Sequence, residues 1–401
     1  MPNETSKELN TLGVTASRGF QAAGVACGLK PKGALDLALV VSDSDCACAG
    51  MFTTNRVQAA PVLYDQSVLA RNKTAIRAVV ANSGCANACT GDAGLADTRM
   101  TAEATAQSLG CRTDQVLVLS TGVIGQRLDM SKLRAGIALA GTRLDYEGGA
   151  EAARAIMTTD TRSKVSVAAQ SYYTIGGMAK GSGMIHPNMA TMLSVITTDA
   201  KIEPALLDGA LRAAVRQSFN RITVDGDMST NDTVLVLANG AAGREIRDSE
   251  IKEFTEALTA VCTDLAKQLV RDGEGATKFV EIRVTSAPDE TEGARVAKAI
   301  AHSPLVKTAI YGGDANWGRV VAAAGYSGVA VDPSMVKLWF GEVNVYSNGT
   351  PTEFDEADST RAIAGGDVFI RIDLGMGNAE ATVWTCDLSH DYVTINGKYR
   401  T

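Results

Sequence analysis

Two long amphipathic helix patterns flank one wholly apolar hexapeptide, and this arrangement restricts the fold more than any other feature. From Pro204 onward, Leu207, Leu211, Ala214, Val215 and Phe219 recur at helical spacing. From Ser249 to Arg271, Ile251, Phe254, Leu258, Val261, Leu265 and Leu269 make a second stripe, and Gly273 ends it. Pro204 falls where a first-turn proline is tolerated. Between the helices, Thr233-Val-Leu-Val-Leu-Ala238 offers water no polar face and reads as a strand covered on both sides.

Further strands are expected at Ala34–Val41, Ala75–Ala81, Val116–Leu119, Phe279–Val284, Val336–Phe340, Val368–Ile372 and Ala381–Trp384. Asn82-Ser83-Gly84 reads as a turn after the second of these. Ala93–Leu109, stopped by Gly110, Ser131–Leu139 and Glu151–Met157 read as helices. Val165–Ala168 and Tyr172–Ile175 read as a hairpin. Strands and helices alternate irregularly. The chain lacks the steady rhythm of a doubly wound sheet, and no G-x-G-x-x-G follows a strand. The expected class is therefore α/β, a layered sandwich of packed β-sheets with outer helices. At 401 residues it divides into two subdomains or forms one large layered domain.

A net charge of −7 argues against nucleic acid or an anionic membrane as the main partner. No stretch has the apolar length of a membrane span, and Met1–Asn10 has no apolar core of a secretory signal, so a cytoplasmic location is expected. Eight cysteines are scattered along the chain; Cys46/Cys48 and Cys85/Cys89 lack C-x-x-C spacing and have no histidine pair beside them. Buried reduced thiols are expected rather than a metal site.

Lys180-Gly-Ser-Gly-Met-Ile-His-Pro-Asn-Met-Ala-Thr191-Met-Leu is a glycine-rich polar loop that runs straight into an apolar strand. A threonine hydroxyl needs a base to become a nucleophile. The threonine's own amino group could serve after a break between Ala190 and Thr191, since an α-amine titrates near neutral pH. The same hydroxyl could make that break by attacking the Ala190 carbonyl. Ala190 leaves the carbonyl open, and Pro187 stiffens the approach. The plainer reading makes Thr191 an ordinary strand-start threonine and His186 a loop histidine. Acyl transfer also needs oxyanion donors. Gly122 could present its N–H and Thr121 its hydroxyl, although Ser120-Thr121-Gly122 also reads as a simple turn. Asp225-Gly-Asp227-Met-Ser229 starts like a calcium loop, but position six is Thr230 and position twelve Val236, so it reads as a polar turn. Glu274 either points into a cleft or belongs to a helix cap, and Asn396–Thr401 reads as a strand and turn.

The Lys180–Leu193 segment strongly resembles the ornithine acetyltransferase family, also called bifunctional glutamate N-acetyltransferase or ArgJ. The resemblance runs through Gly19–Gly24, Phe52–Arg56, Asn82–Asn87, Ser120–Gly125, Thr158–Thr161, Asp272–Lys278, Tyr311–Arg319 and Ile395–Thr401, in family order. It implies an autoprocessed, N-terminal-nucleophile-like enzyme that cuts itself between Ala190 and Thr191. Residues 1–190 would form one chain, carrying the oxyanion half, and 191–401 the other, carrying the nucleophile Thr191. Thr121 and Gly122 match the oxyanion positions. Thr158, with neighbouring Thr159 as the alternative, and Lys180, Thr191, Glu274, Asn396 and Thr401 match substrate contacts. The implied reaction is ping-pong: Thr191 takes acetyl from N²-acetylornithine and passes it to glutamate, in arginine biosynthesis. It calls for no metal and no bound cofactor. Some members also take acetyl from acetyl-CoA as a co-substrate, and no sequence feature decides that point. The implied assembly is a pair of cleaved heterodimers. The rival reading is a self-cleaving amidase or aminopeptidase of related fold, with water as acceptor.

Overall fold

One strand of sixteen residues, Leu37–Phe52, ties together the larger of two sheets. In the computed structural model, residues 11–186 and 192–398 are described. The larger sheet comprises β1 (Phe20–Val25), β2 (Leu37–Phe52), β3 (Ile76–Cys85), β4 (Val116–Val123), β5 (Lys164–Ala169), β6 (Thr174–Lys180), β7 (Leu193–Thr198) and β8 (Thr233–Ala238). The sequence predicts that β2 stops at Val41, because Ser42–Asp45 is polar. The strand continues because its register slips between Val41 and Cys46, which leaves Asp43, Ser44 and Asp45 exposed at the irregularity. Before the slip β2 pairs with β1 and β3; after it, Ala47–Phe52 pairs antiparallel with β8.

The two ends of β2 thus belong to two packed layers. The inward faces of β6, β7 and β8 (Met178, Leu193, Val195, Leu235 and Leu237) share a core with β1–β4. Their outward faces (Ile175, Ile196, Val234 and Val236) pack against two helices, here α5 and α6. The helices of this part are α1 (Ala60–Leu69), α2 (Gly91–Leu109), α3 (Met130–Gly141), α4 (Gly149–Ala155), α5 (Pro204–Gln217) and α6 (Ile251–Arg271). Buried residues of α1–α4 join the first core, so the order is helices, sheet, sheet, helices. α5 and α6 are the two stripes read from the sequence. Phe254, Leu258, Val261, Leu265 and Leu269 of α6 are fully buried or nearly so, at roughly 2 kcal/mol of stabilisation per side chain. Pro204 is a first-turn residue of α5, and the Glu203 carboxylate caps that helix by accepting from Ala205 and Leu206 N–H groups. Gly110 ends α2 in the left-handed region at φ 67°.

A second sheet has its own core. Its strands are β9 (Phe279–Ala287), β10 (Lys337–Phe340), β11 (Val343–Ser347), β12 (Thr350–Pro351), β13 (Asp367–Asp373) and β14 (Ala379–Cys386), in the order β12-β11-β10-β13-β9-β14. Val280, Ile282 and Val284 of β9 pack with Val296 and Ile300 of α7 (Glu290–His302). α8 (Pro304–Tyr311), α9 (Trp317–Gly325) and α10 (Glu356–Ala362) complete this part. The chain then returns to the first sheet through α11 (His390–Asn396). The segment read as strand and turn from Asn396 therefore begins as the last residue of a helix, which Ser389 caps by accepting from Asp391 N–H. Five of the eight cysteines are buried, as expected, but Cys89 is exposed and Cys27 and Cys111 are half-buried. No helix among the described residues is long and apolar enough to cross a membrane.

Candidate active site

Two strand ends create the cleft. β3 and β4 run parallel, with Ser83 opposite Thr121 and Gly84 opposite Gly122, and the register breaks at Gly84/Cys85. Ser120-Thr121-Gly122 is thus not a turn after the strand but part of its last stretch, which ends at Val123. The approach of the two strands here demands glycine. Gly122 has φ 131°, and a Cβ on it would lie 2.3 Å from the Gly84 carbonyl carbon. The Asn82 side chain accepts from the Ser120 hydroxyl at 2.6 Å and donates to the Cys85 carbonyl at 2.9 Å, which pins the end of β3 to β4.

β6 delivers Lys180 to the same place. Its ammonium donates to Thr121 Oγ1 at 3.2 Å, and the side chain is buried. Burial lowers the Lys180 pKa, while Asp160 opposes the shift. Beneath it lies a buried ionic group. Lys164, fully buried, reaches Asp160 at 2.6 Å and Asp272 at 2.5 Å. Asp160 also accepts from the Thr158 and Gly181 N–H groups. Burial pushes the Asp160 pKa up, but Lys180 and Lys164 prevail and hold it down at about 2. One carboxylate thereby fixes both the Thr158 turn and the exit of β6.

Thr121, Gly122, Thr158, Thr159, Lys180, Glu274 and Asn396 all line one cleft, with about 780 Å³ of space including its open mouth. The cleft is ample for an amino-acid-sized ligand. Thr159 Oγ1 lies 2.6 Å from Ser182 Oγ, whereas Thr158 donates its backbone N–H to Asp160. Both face the cleft, so the two readings of that position stay open. Glu274 accepts from the Asn396 amide at 2.8 Å and donates its own N–H to the Ser182 carbonyl at 2.7 Å. Asp272 is the C-cap residue of α6, and Glu274, two residues on, faces the cleft; cap and cleft readings apply to neighbouring residues. Ala190, Thr191 and Thr401 lie outside the described residues.

The sequence reading missed several residues of this site. Asp225, in the stretch read as a polar turn, lines the cleft. Its carboxylate accepts from Met184 N–H at 2.6 Å, Ile185 N–H at 2.9 Å and the Tyr392 hydroxyl at 3.2 Å. Burial raises its pKa. Asn231 donates to the Ala86 and Ser120 carbonyls at 2.7 and 2.8 Å, tying the start of β8 to β4. Only the clustering of Asp225, Asp227, Ser229, Asn231 and Asp232 just ahead of an apolar strand could have flagged them. Outside the cleft lining, His186 packs against His302 of α7 with ring centres 4.2 Å apart and planes tilted by 38°, a pairing across distant sequence that no spacing rule reveals.

Lys180 pairs with Leu193 across the β6–β7 ladder. The chain between them therefore leaves and re-enters the sheet at one point on the rim of this cleft.

The chain matches the ArgJ family over residues 21–401. It is 51% identical over 401 aligned residues to the arginine biosynthesis bifunctional protein ArgJ of Symbiobacterium thermophilum, covering 97% of this chain and 98% of that protein. It is 48% identical over 396 residues to the protein of the same name from Thermotoga neapolitana, covering 96% of this chain and 99% of that one. A crystal structure of the arginine biosynthesis bifunctional protein ArgJ from Bacillus halodurans is 46% identical, covers 51% of this chain and 97% of that chain, and superposes with a TM-score of 0.49. A family match over residues 21–401 and relatives of about half-identical sequence over nearly the whole chain lead to one conclusion: the chain belongs to the ArgJ family.

Proposed function

We propose that this protein is a glutamate N-acetyltransferase of arginine biosynthesis that cuts itself between Ala190 and Thr191. It then moves acetyl from N²-acetylornithine to glutamate through an acetyl-Thr191 ester. The observation that carries this reading is the convergence of Thr121, Gly122, Lys180 and Glu274 on one cleft at whose rim the Lys180–Leu193 loop begins and ends. Family membership and the relatives' name support the pathway.

Each residue type suits its part. Once cut, Thr191 carries an α-amine whose free base is available near neutral pH and can take the hydroxyl proton. The hydroxyl oxygen attacks the acetyl carbonyl; Thr121 and Gly122 would donate to the oxyanion. Expulsion of the ornithine nitrogen, which takes a proton, leaves the ester, and the glutamate amine reverses the sequence. Lys180 suits a substrate carboxylate, while Glu274 with Asn396 suits an ammonium. A break at residue 190 would yield chains 1–190 and 191–401. They would stay joined, because β7 and β8 of the second pair with β6 and β2 of the first.

Mass spectrometry of the purified protein, with N-terminal sequencing, tests the cut: a new terminus at Thr191 is expected. Acetyl exchange between N²-acetylornithine and glutamate should then exceed release of free acetate. If water is the preferred acceptor, the protein is instead an amidase. Glutamate supplied with acetyl-CoA alone reports whether that co-substrate is also used.

A further inference from the structure

The Asp225 carboxylate ties together the two segments that enclose Glu274. The first is the turn at residues 182–185. Asp225 Oδ2 accepts from Met184 N–H at 2.6 Å and Oδ1 from Ile185 N–H at 2.9 Å. Met184 has φ 55°, a left-handed conformation that methionine rarely adopts, and it turns two successive N–H groups toward one anion. The same turn meets Glu274. The Ser182 carbonyl accepts from Glu274 N–H at 2.7 Å, and a Cβ on Gly183 would lie 2.3 Å from Glu274 Oε2.

The second segment is α11. The Tyr392 hydroxyl donates to Asp225 Oδ2 at 3.2 Å. One turn later the Asn396 amide donates to the Tyr392 carbonyl at 3.1 Å and to Glu274 Oε2 at 2.8 Å, so both of its N–H donors are engaged. At the start of the helix Ser389 donates to the Gly275 carbonyl at 2.5 Å. α11 has seven residues and buries none of them. A helix this short has little stability of its own, so polar contacts set where it stands. The Asp225 oxygens already accept from Met184, Ile185, Asp227 and Tyr392, which suits the carboxylate to holding the protein rather than a ligand.

We propose that Asp225 and Tyr392 set the substrate preference of the cleft by fixing the place of the Glu274 carboxylate. This rests on the reading above in which Glu274 takes an ammonium. In N²-acetylornithine the α-nitrogen is acylated, so its ammonium is the one at the end of the side chain. A Glu274 clamped between the turn and α11 stands at a fixed distance and measures that side chain's length. N²-Acetyllysine, one methylene longer, has to displace it, and glutamate has no such group to offer. Asp225 and Tyr392 are therefore positioning residues.

Tyr392→Phe removes only the hydroxyl and is the main test. In a ping-pong enzyme kcat/KM is measured separately for donor and acceptor. The value for N²-acetylornithine should fall about three- to tenfold, as the loss of one hydrogen bond allows, while that for glutamate moves less than about twofold. The preference for N²-acetylornithine over N²-acetyllysine should fall about threefold or more, because a loosened Glu274 no longer rejects the extra methylene. An equal loss for glutamate, or an unmoved preference, overturns the proposal. Combining Tyr392→Phe with Asn396→Ala should cost less than the product of the single losses, since both act through Glu274; a multiplicative loss also overturns it. Asp225→Asn should repeat the Tyr392→Phe pattern, and if that variant does not fold, Tyr392→Phe decides alone. Glu274→Gln separates the two levels. With parental kcat/KM for N²-acetylornithine, Glu274 does not hold the ammonium and both readings fall. With a lowered value and a silent Tyr392→Phe, only the role of Asp225 and Tyr392 falls.

Discussion

The Lys180 ammonium donates to Thr121 Oγ1 at 3.2 Å, and this contact joins the two strands whose ends make the cleft. The acceptor role leaves the Thr121 hydroxyl proton free to point elsewhere, so the residue can serve as a donor to an oxyanion while Lys180 restrains its rotamer. Thr121→Ala should lower kcat by about 10²–10³-fold with little change in KM, the signature of a contact made mainly in the transition state. Thr121→Ser should recover much of the loss. Steady-state acetyl transfer checks both; an Ala variant with unaltered kcat would falsify the oxyanion role.

Folding stability should depend on acid through the Asp160–Lys164–Asp272 group. The folded pKa of Asp160 is held at about 2, below the ordinary carboxylate value near 3.9. A depressed carboxylate stabilises the fold fully above its unfolded pKa, and that contribution is lost as pH falls through the folded value. The loss should therefore fall between about pH 4 and pH 2. Asp160→Asn would leave Lys164 buried with one carboxylate fewer, at a cost of about 3–5 kcal/mol, and should flatten stability over that window. Denaturant titrations at several pH values would show it; an unchanged slope in the variant would count against the assignment.

How much of this could be read from the residues differed from element to element. Thr233–Ala238 and the two helices around it were legible because wholly apolar runs and 3.6-residue stripes report burial directly. Phe20–Val25, Ala60–Leu69 and the helices between Glu290 and Gly325 were not marked out, since alanine and glycine dominate several of them and blur the apolar period. Asn82–Gly84 and Ser120–Gly122 looked like turns because their residue types favour turns locally. In the fold they are strand ends held by ladder pairing and a bulge, which is tertiary information. The site residues Lys180, Glu274 and Asn396 came from family resemblance, and the cleft brings them together. Asp225 and Asp232 were missed because their importance lies in buried backbone N–H groups from residues 184, 185 and 192, which no local pattern reveals.

Glu274 and Asn396 should act on binding more than on chemistry. The Asn396 amide donates to Glu274 Oε2 at 2.8 Å and leaves Oε1 for a ligand cation. Glu274→Gln should raise KM for the amino-acid substrate about tenfold or more, since a charged hydrogen bond is worth about 1.5–3 kcal/mol. Asn396→Ala should raise it less, because it only loosens the carboxylate. Gly183→Ala should behave like a Glu274 variant, as a Cβ there would meet Glu274 Oε2 at 2.3 Å. Initial-rate kinetics over substrate concentration would separate these effects. A Glu274→Gln enzyme with parental KM would remove that residue from the binding site.

Self-cleavage should leave the two chains inseparable under native conditions. β7 lies between β6 and β8, and β8 lies between β7 and β2, so strands of the second chain form the middle of a sheet begun by the first. The Met178, Leu193, Val195, Leu235 and Leu237 side chains that cross this boundary share one buried core with β1–β4. Separation would expose that core and unpair the β2–β8 and β6–β7 ladders together. Size-exclusion chromatography of the cut protein should therefore give one peak holding both chains, resolved only by denaturant. Leu235→Asp, which puts a charge into this shared core, should lower the denaturation midpoint strongly, by several kcal/mol. It should also release free chains at denaturant concentrations where the parent remains whole. Chains that part in dilute buffer without any substitution would mean that the ladders do not hold the halves together.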